Sequence, residues 1–277
     1  MQCPSCGNGN ADAARFCPRC GGALSSAGDG TPEPAATVVV PNLLDQKQKV
    51  ASYWHTLLIV VIMLAVSMSG QTRSKRVLRA GSRPLLYTSG VVMQWTLVGV
   101  VWLGIKRRGY SLRQLTGRPW RGLDDFLIDV AIAAVFWIGV AIVLASLGYA
   151  MGMQNKVEEL RKAIEFMAPA NIFELCVFFV LAVSAGICEE IVFRGYLQRQ
   201  LGALSKSVLV GVLASATVFG ASHLYEGPER MLLIGVFGAM LGTLAALRKN
   251  LRPAMIAHTW QDIFAGVGQF LMRTARP

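Results

Sequence analysis

Seven apolar runs set what this chain can fold into: approximately residues 52–70, 85–105, 126–150, 171–201, 206–224, 231–247 and 252–272. A helix needs about 20 apolar residues to cross about 30 Å of hydrocarbon. Within hydrocarbon no water meets a backbone N–H or C=O, so runs of this length must satisfy their polar groups internally, as helices do. The expected fold is all-α, a polytopic helical membrane bundle of about seven spans. Composition agrees: 53% of residues are hydrophobic and 16% charged, against about 25% charged in soluble domains. The fifth and seventh runs are the weakest spans.

The net charge of +11 would suggest nucleic acid in a soluble chain. Here the basic residues cluster between the runs: Arg73, Lys75, Arg76, Arg79 and Arg83, then Lys106, Arg107, Arg108, Arg113, Arg118 and Arg121, then Arg248, Lys249 and Arg252. Charge at span ends sets topology and meets anionic headgroups. The expected partners are therefore membrane lipids, and no nucleic acid. Residues 106–122, those around 199–206 and 248–252 fall on the inner side if the N-terminus is cytoplasmic. The basic 71–84 loop argues the other way. The expectation is a multi-pass protein of a bacterial cell membrane with its N-terminus inside.

Four of the six cysteines stand in the first twenty residues as two Cys-x-x-Cys pairs, Cys3/Cys6 and Cys17/Cys20. Four thiolates are what a closed tetrahedral zinc site takes. Residues 1–24 therefore read as a zinc ribbon, with structural zinc supplying its folding energy and Phe16 as its apolar plug. A thiol-rich module favours a reducing compartment, and Met1-Gln2-Cys3-Pro4 has neither the basic nor the apolar region of a signal peptide. The ribbon is expected to serve regulation or to bind a protein partner. Residues 25–50, rich in Ser, Gly, Pro, Thr and Ala, read as a disordered linker. Residues 51–123 then hold the N-terminal membrane helices and basic loops, and 124–277 a catalytic core. Within it, 153–168 reads as an amphipathic surface helix.

Charges inside the runs are the informative feature, because each costs about 2.5–3.5 kcal/mol at a helix centre on insertion scales. Glu190 and Arg194 lie four apart and share a helix face as an ion pair. Glu189 is rotated by about 100° and does not share that partner, which frees it to take up and release a proton as a general base. The bland alternative is a structural Glu–Arg staple. The fifth run sets Phe219 and His223 four apart, and the seventh repeats that spacing in His258 and Asp262, where Asp262 can fix the tautomer of His258. At about 1.5 Å per residue from Gln200, Lys206 and Leu251, Glu189 and Asp262 each lie roughly 16 Å deep, His223 about 25 Å and His258 about 10 Å. The four depths centre on mid-bilayer.

Glu-Glu-x-x-x-Arg, then Phe-x-x-x-His, then His-x-x-x-Asp, in that order on successive apolar helices, resembles the CPBP intramembrane proteases. That family includes the CAAX prenyl endopeptidases of the Rce1 type and bacteriocin-processing relatives. The resemblance spans about residues 124–272. It implies an endopeptidase acting on peptide or protein substrates at the membrane. Glu189 and His223 would activate water, His258 and Asp262 would meet the oxyanion, and Glu190, Arg194 and Phe219 would shape the site. Where relatives place Asn the chain has Asp262, and an ionised Asp would repel an oxyanion. Asp262 is therefore either protonated or an orienting group for His258. A catalytic zinc held by His223, His258 and a Glu stays open beside the metal-free mechanism. Two readings from other classes remain: a proton-coupled transporter using the same buried groups, and a non-catalytic membrane scaffold.

Overall fold

The computed structural model describes residues 2–3, 6–11, 14, 16–20, 24, 48–79 and 83–274. They belong to two units, Met1–Val40 and Pro41–Pro277. The linker expected at 25–50 lies, up to residue 47, outside the described residues.

In the first unit the chain turns tightly behind Cys3. Cys3 N–H donates to Asn8 O at 2.9 Å and Gly7 N–H to Cys3 O at 2.8 Å. Gly7 takes φ +70°, a conformation a Cβ disfavours. Among the described residues here, the buried ones are Cys3, Cys17 and Leu24. Phe16 is 67% exposed, so it is not the plug the sequence suggested. Leu24 is the residue packed with the two buried cysteines instead.

The second unit is helical throughout its described length. Its elements are α1 (Tyr53–Arg79), α2 (Arg83–Lys106), α3 (Leu112–Thr116), α4 (Leu123–Ala150), α5 (Val157–Ile164), α6 (Ile172–Glu190), α7 (Arg199–Ser205), α8 (Val208–Ala221), α9 (Pro228–Arg248) and α10 (Arg252–Thr274). A π-helical stretch, Ile191–Gln198, joins α6 to α7 without a break. Each of the seven apolar runs thus becomes helical, the fourth with a π-helical stretch within it. Among the described residues, five segments are long and apolar enough to cross a membrane: Tyr53–Gly70, Arg83–Lys106, Leu123–Ala150, Ile172–Ser205 and Pro228–Arg248. α8, with 14 residues, is short, and α10 carries too many polar residues. These are the two runs expected to be weakest. The chain is an integral membrane protein.

Local signals start and stop the helices around the later spans. Asn171 caps α6 by accepting from Glu174 N–H, and Ser207 caps α8 by accepting from Val210 N–H. Pro228 opens α9, where its missing N–H is not needed. The amphipathic stretch forms as 3₁₀ turns around α5, with Arg161 paired to Glu158 outside and Ile164 and Phe166 turned in.

α6 is the central helix, and its partners are α2 and α10. Close approach to α10 requires Gly186, since a Cβ there would collide with Thr259 Oγ1 and come within 2.8 Å of Thr259 N. Side chains also bind helix to helix. Gln200 is fully buried and ties α7 to the chain entering α1, accepting from Val50 and Ala51 N–H and donating to Ala51 O. It is an interior anchor, not the membrane-face marker used for the depth estimate. His55 is likewise structural, spanning Tyr196 Oη at 2.8 Å and Val100 O at 2.9 Å.

Candidate active site

α6 ends in two adjacent glutamates that the helical turn separates. Glu190 points into the bundle with 0% side-chain exposure, and Glu189 points the other way with 21%. A carboxylate with no exposure must be matched by donors. Glu190 Oε1 accepts from Arg194 Nη1 at 2.8 Å and from His258 Nδ1 at 2.8 Å. Arg194 Nη2 donates to Gly238 O at 3.0 Å, and its guanidinium lies 4.3 Å from the centroid of the Phe219 ring. One ion pair thus fastens α6, the π-helical stretch, α8, α9 and α10 together. The π-helix follows Glu190 immediately; such insertions re-aim side chains at functional sites.

The bond from Glu190 settles His258. A carboxylate oxygen accepts, so Nδ1 carries a proton. Nε2 is then directed toward Glu189 Oε2 at 3.9 Å and Asp262 Oδ2 at 3.8 Å. Edge-on contacts with Phe219 and Phe237, at centroid distances of 5.8 and 5.5 Å, hold the ring in place. The sequence suggested Asp262 as the group that fixes the His258 tautomer. In the structure Glu190 makes the Nδ1 bond, and Asp262 stands on the Nε2 side.

His223 lies just beyond α8, in the first turn leading to α9. Its Nδ1 donates to Phe219 O at 2.9 Å, which leaves Nε2 as the acceptor. Phe219 packs edge-on against the His223 ring as well, at 5.0 Å. It is therefore the common wall of both imidazoles and of Arg194.

Glu189, His223, His258 and Asp262 line one cavity of about 310 Å³, and Glu190, Arg194 and Phe219 stand behind it. Met63 and Val66 of α1 and Met93 and Leu97 of α2 supply much of its apolar wall. Several polar residues of the wall were not expected, among them Gln94, Tyr225, Glu226 and Arg230. Gln94 of α2 donates to Glu189 Oε1 at 3.3 Å. Tyr225, Glu226 and Arg230 follow His223, with Arg230 Nε donating to Glu226 Oε2 at 2.9 Å. Tyr225 to Arg230 stand beside a motif residue in sequence, and that nearness was an available signal. Gln94 had none, because α2 meets α6 only in the folded chain.

Among the described residues, the four N-terminal thiols form a group tight enough to share a metal ion, with all ligand atoms within 4.8 Å of one another. Glu189, His223 and His258 do not fall within such a group. Zinc–sulfur bonds of about 2.3 Å set tetrahedral sulfurs about 3.8 Å apart. Cys3 and Cys20 Sγ lie 3.5 Å apart, and Cys6 and Cys17 Sγ 3.7 Å.

Residues 171–264 match the family model described as type II CAAX prenyl endopeptidase Rce1-like. The matched stretch runs from the cap of α6 into α10 and contains all seven membrane residues singled out by the motifs. It supports the role of a membrane endopeptidase. No curated protein and no solved structure gives a significant match to the chain.

Proposed function

We propose that this chain is an intramembrane endopeptidase in which Glu189 and His223 activate water and His258 receives the oxyanion. The observation that carries the reading is the Glu190–His258 bond. With Nδ1–H committed to Glu190, an Nε2–H directed at the cavity requires the imidazolium form. Three carboxylates, those of Glu190, Glu189 and Asp262, stand around the ring as its counter-charges.

The chemistry then runs on this chain's own groups. Glu189 takes a proton from water, with His223 Nε2 accepting the second hydrogen bond. The hydroxide oxygen attacks the scissile carbonyl carbon, and the carbonyl π electrons move to oxygen. His258 Nε2–H donates to that oxyanion; one such donor is worth about 10²–10³ in turnover. Collapse breaks the C–N bond, and Glu189 returns the proton to the leaving amine. Asp262 stands beside Nε2 as a counter-charge to the imidazolium, so the His258–Asp262 pair meets the oxyanion with no net negative charge. Arg194 balances the charge of Glu190, and Phe219 keeps both imidazoles in place.

We place zinc in the ribbon, held by Cys3, Cys6, Cys17 and Cys20, and the ribbon in the cytoplasm. The core hydrolyses peptide bonds without a second metal. Purified full-length protein in lipid should carry one zinc per chain, falling to none when the four cysteines are replaced by Ser. Two falling to one would make the core a metalloenzyme. The same preparation should cleave a membrane-anchored peptide and lose at least about 10³-fold in kcat on Glu189→Gln. His223→Ala should lose about 10²-fold or more. Undiminished cleavage in both folded variants would remove the protease reading in favour of a scaffold or transporter.

A further inference from the structure

We infer that Gln94 of α2 is a positioning residue for the catalytic carboxylate: its amide holds Glu189 in the orientation that faces His258. This rests on the peptidase reading above and deepens it. Gln94 also lies outside the stretch matched to the family model, which begins at residue 171.

The polar side chains of α2 divide by what they bond. Thr88, Ser89 and Thr96 each donate to a carbonyl of their own helix, at 2.7–2.9 Å. That is the routine way a hydroxyl is satisfied within a span. Gln94 instead reaches across to α6, where Nε2 donates to Glu189 Oε1 at 3.3 Å. The amide must point this way round, because its oxygen would repel a carboxylate. Its own Oε1 is buried and meets no protein donor. A buried amide half-satisfied in this way costs free energy, so packing alone does not account for a glutamine here.

The effect on Glu189 is geometric. Its two oxygens are divided: Oε1 is turned to Gln94, and Oε2 lies 3.9 Å from His258 Nε2. Tethering one oxygen fixes the side-chain torsions and aims the other at the space between Glu189, His258 and Asp262. Both residues line the same cavity. The unmatched Gln94 Oε1 is left to accept from the attacking water or from a substrate N–H. α1 and α2 are then not a passive shell: the site needs α2 to be complete.

The test is a double-mutant cycle on full-length protein in lipid, with cleavage of a membrane-anchored peptide as the readout. Gln94→Leu keeps the size and removes the amide. Its kcat should fall about 100-fold, the scale of a 1 Å misplacement, with KM within about threefold. Gln94→Glu keeps the shape but sets a carboxylate against Glu189, and should do at least as badly. In the Glu189→Gln background, Gln94→Leu should cost nothing further, because the group it positions is already gone. Three results would overturn the inference: near-wild-type kcat in Gln94→Leu, a change confined to KM, or losses that add in the double variant. Failure of the underlying reading looks different, since Glu189→Gln alone would then leave cleavage intact.

Discussion

Two clusters of buried charge hold the spans together, and they differ in what lies beside them. At one, Asp129 of α4 is 1% exposed. Its Oδ2 accepts from Trp120 Nε1 at 2.9 Å and lies 2.9 Å from Arg252 Nε, and its Oδ1 accepts from Arg248 Nη2 at 3.4 Å. Two cations and an indole thus surround one carboxylate. Among the described residues, no member of this cluster lines the cavity of the proposed site. At the other, Glu190 takes Arg194 and His258, and His258 passes the connection to a cavity with two more carboxylates. The first cluster closes on itself and joins α4 to the α9–α10 corner. The second is open at one end. Buried charge in a span therefore does not by itself mark chemistry; the mark is a buried pair one of whose members has a second polar atom facing a cavity.

The comparison is most exposed to a paired substitution. Glu190→Ala strands Arg194 and leaves His258 without its Nδ1 acceptor. Asp129→Ala strands Arg252, while Arg248, 38% exposed, keeps its access to solvent. Breaking a buried pair costs about 3–5 kcal/mol, so both variants should unfold earlier in thermal melts in detergent. They should part in turnover per folded molecule. Glu190→Ala should lose about 10³-fold or more, because the His258 imidazolium and its orientation go together. Asp129→Ala should stay within about threefold. Equal turnover losses in the two variants would mean that both clusters serve the site and that openness to the cavity is not the distinguishing feature.

A smaller effect sharpens the same contrast at the level of packing. Gly186→Val pushes α6 away from Thr259 of α10, and those helices carry Glu189, Glu190 and His258. Overpacking of this kind costs about 1–3 kcal/mol, and a displacement approaching 1 Å at the site costs about 100-fold in kcat. Gly139 of α4, where a Cβ meets nothing within 4 Å, is the control. Gly139→Val should leave both melting and kcat at wild-type levels. If Gly186→Val kept wild-type kcat, the α6–α10 contact would not be what positions His258.

Much of this was legible in the sequence, for a definite reason. Apolar length is a local property, so all seven long helices could be read from it, as could the amphipathic stretch around α5. The four-residue spacing of Glu190 and Arg194 likewise fixes a shared helix face, and the ion pair is there at 2.8 Å. Contacts between helices are not local, and they were not legible. Nothing in Asp129 announces Arg252, which reads from the sequence as one more headgroup-facing loop cation. The four-residue spacing of His258 and Asp262 pointed to a direct bond, yet Glu190 reaches Nδ1 from another helix and Asp262 stays at 3.8 Å from Nε2. Nor does a sequence period reveal the π-helical stretch after Glu190, because its extra residue per turn appears only once the hydrogen bonds are drawn.

The smallest effect is expected from the other unit, Met1–Val40. Four sulfurs gather in the N-terminal unit, and among its described residues Cys3, Cys17 and Leu24 are the buried ones. In the proposed reading the metal supplies the folding energy of this unit. The membrane unit Pro41–Pro277 has its own core, which includes Val101, Ile105, Tyr196 and Leu241. Chelation, or Cys3→Ser with Cys6→Ser, should therefore abolish zinc binding and leave peptide cleavage by the intact chain within about twofold, with the main melting transition unmoved. A large fall in kcat on zinc removal, with helicity by circular dichroism unchanged, would show that the ribbon controls the site. The two units would then have to be treated as one device, with the thiol cluster as its input.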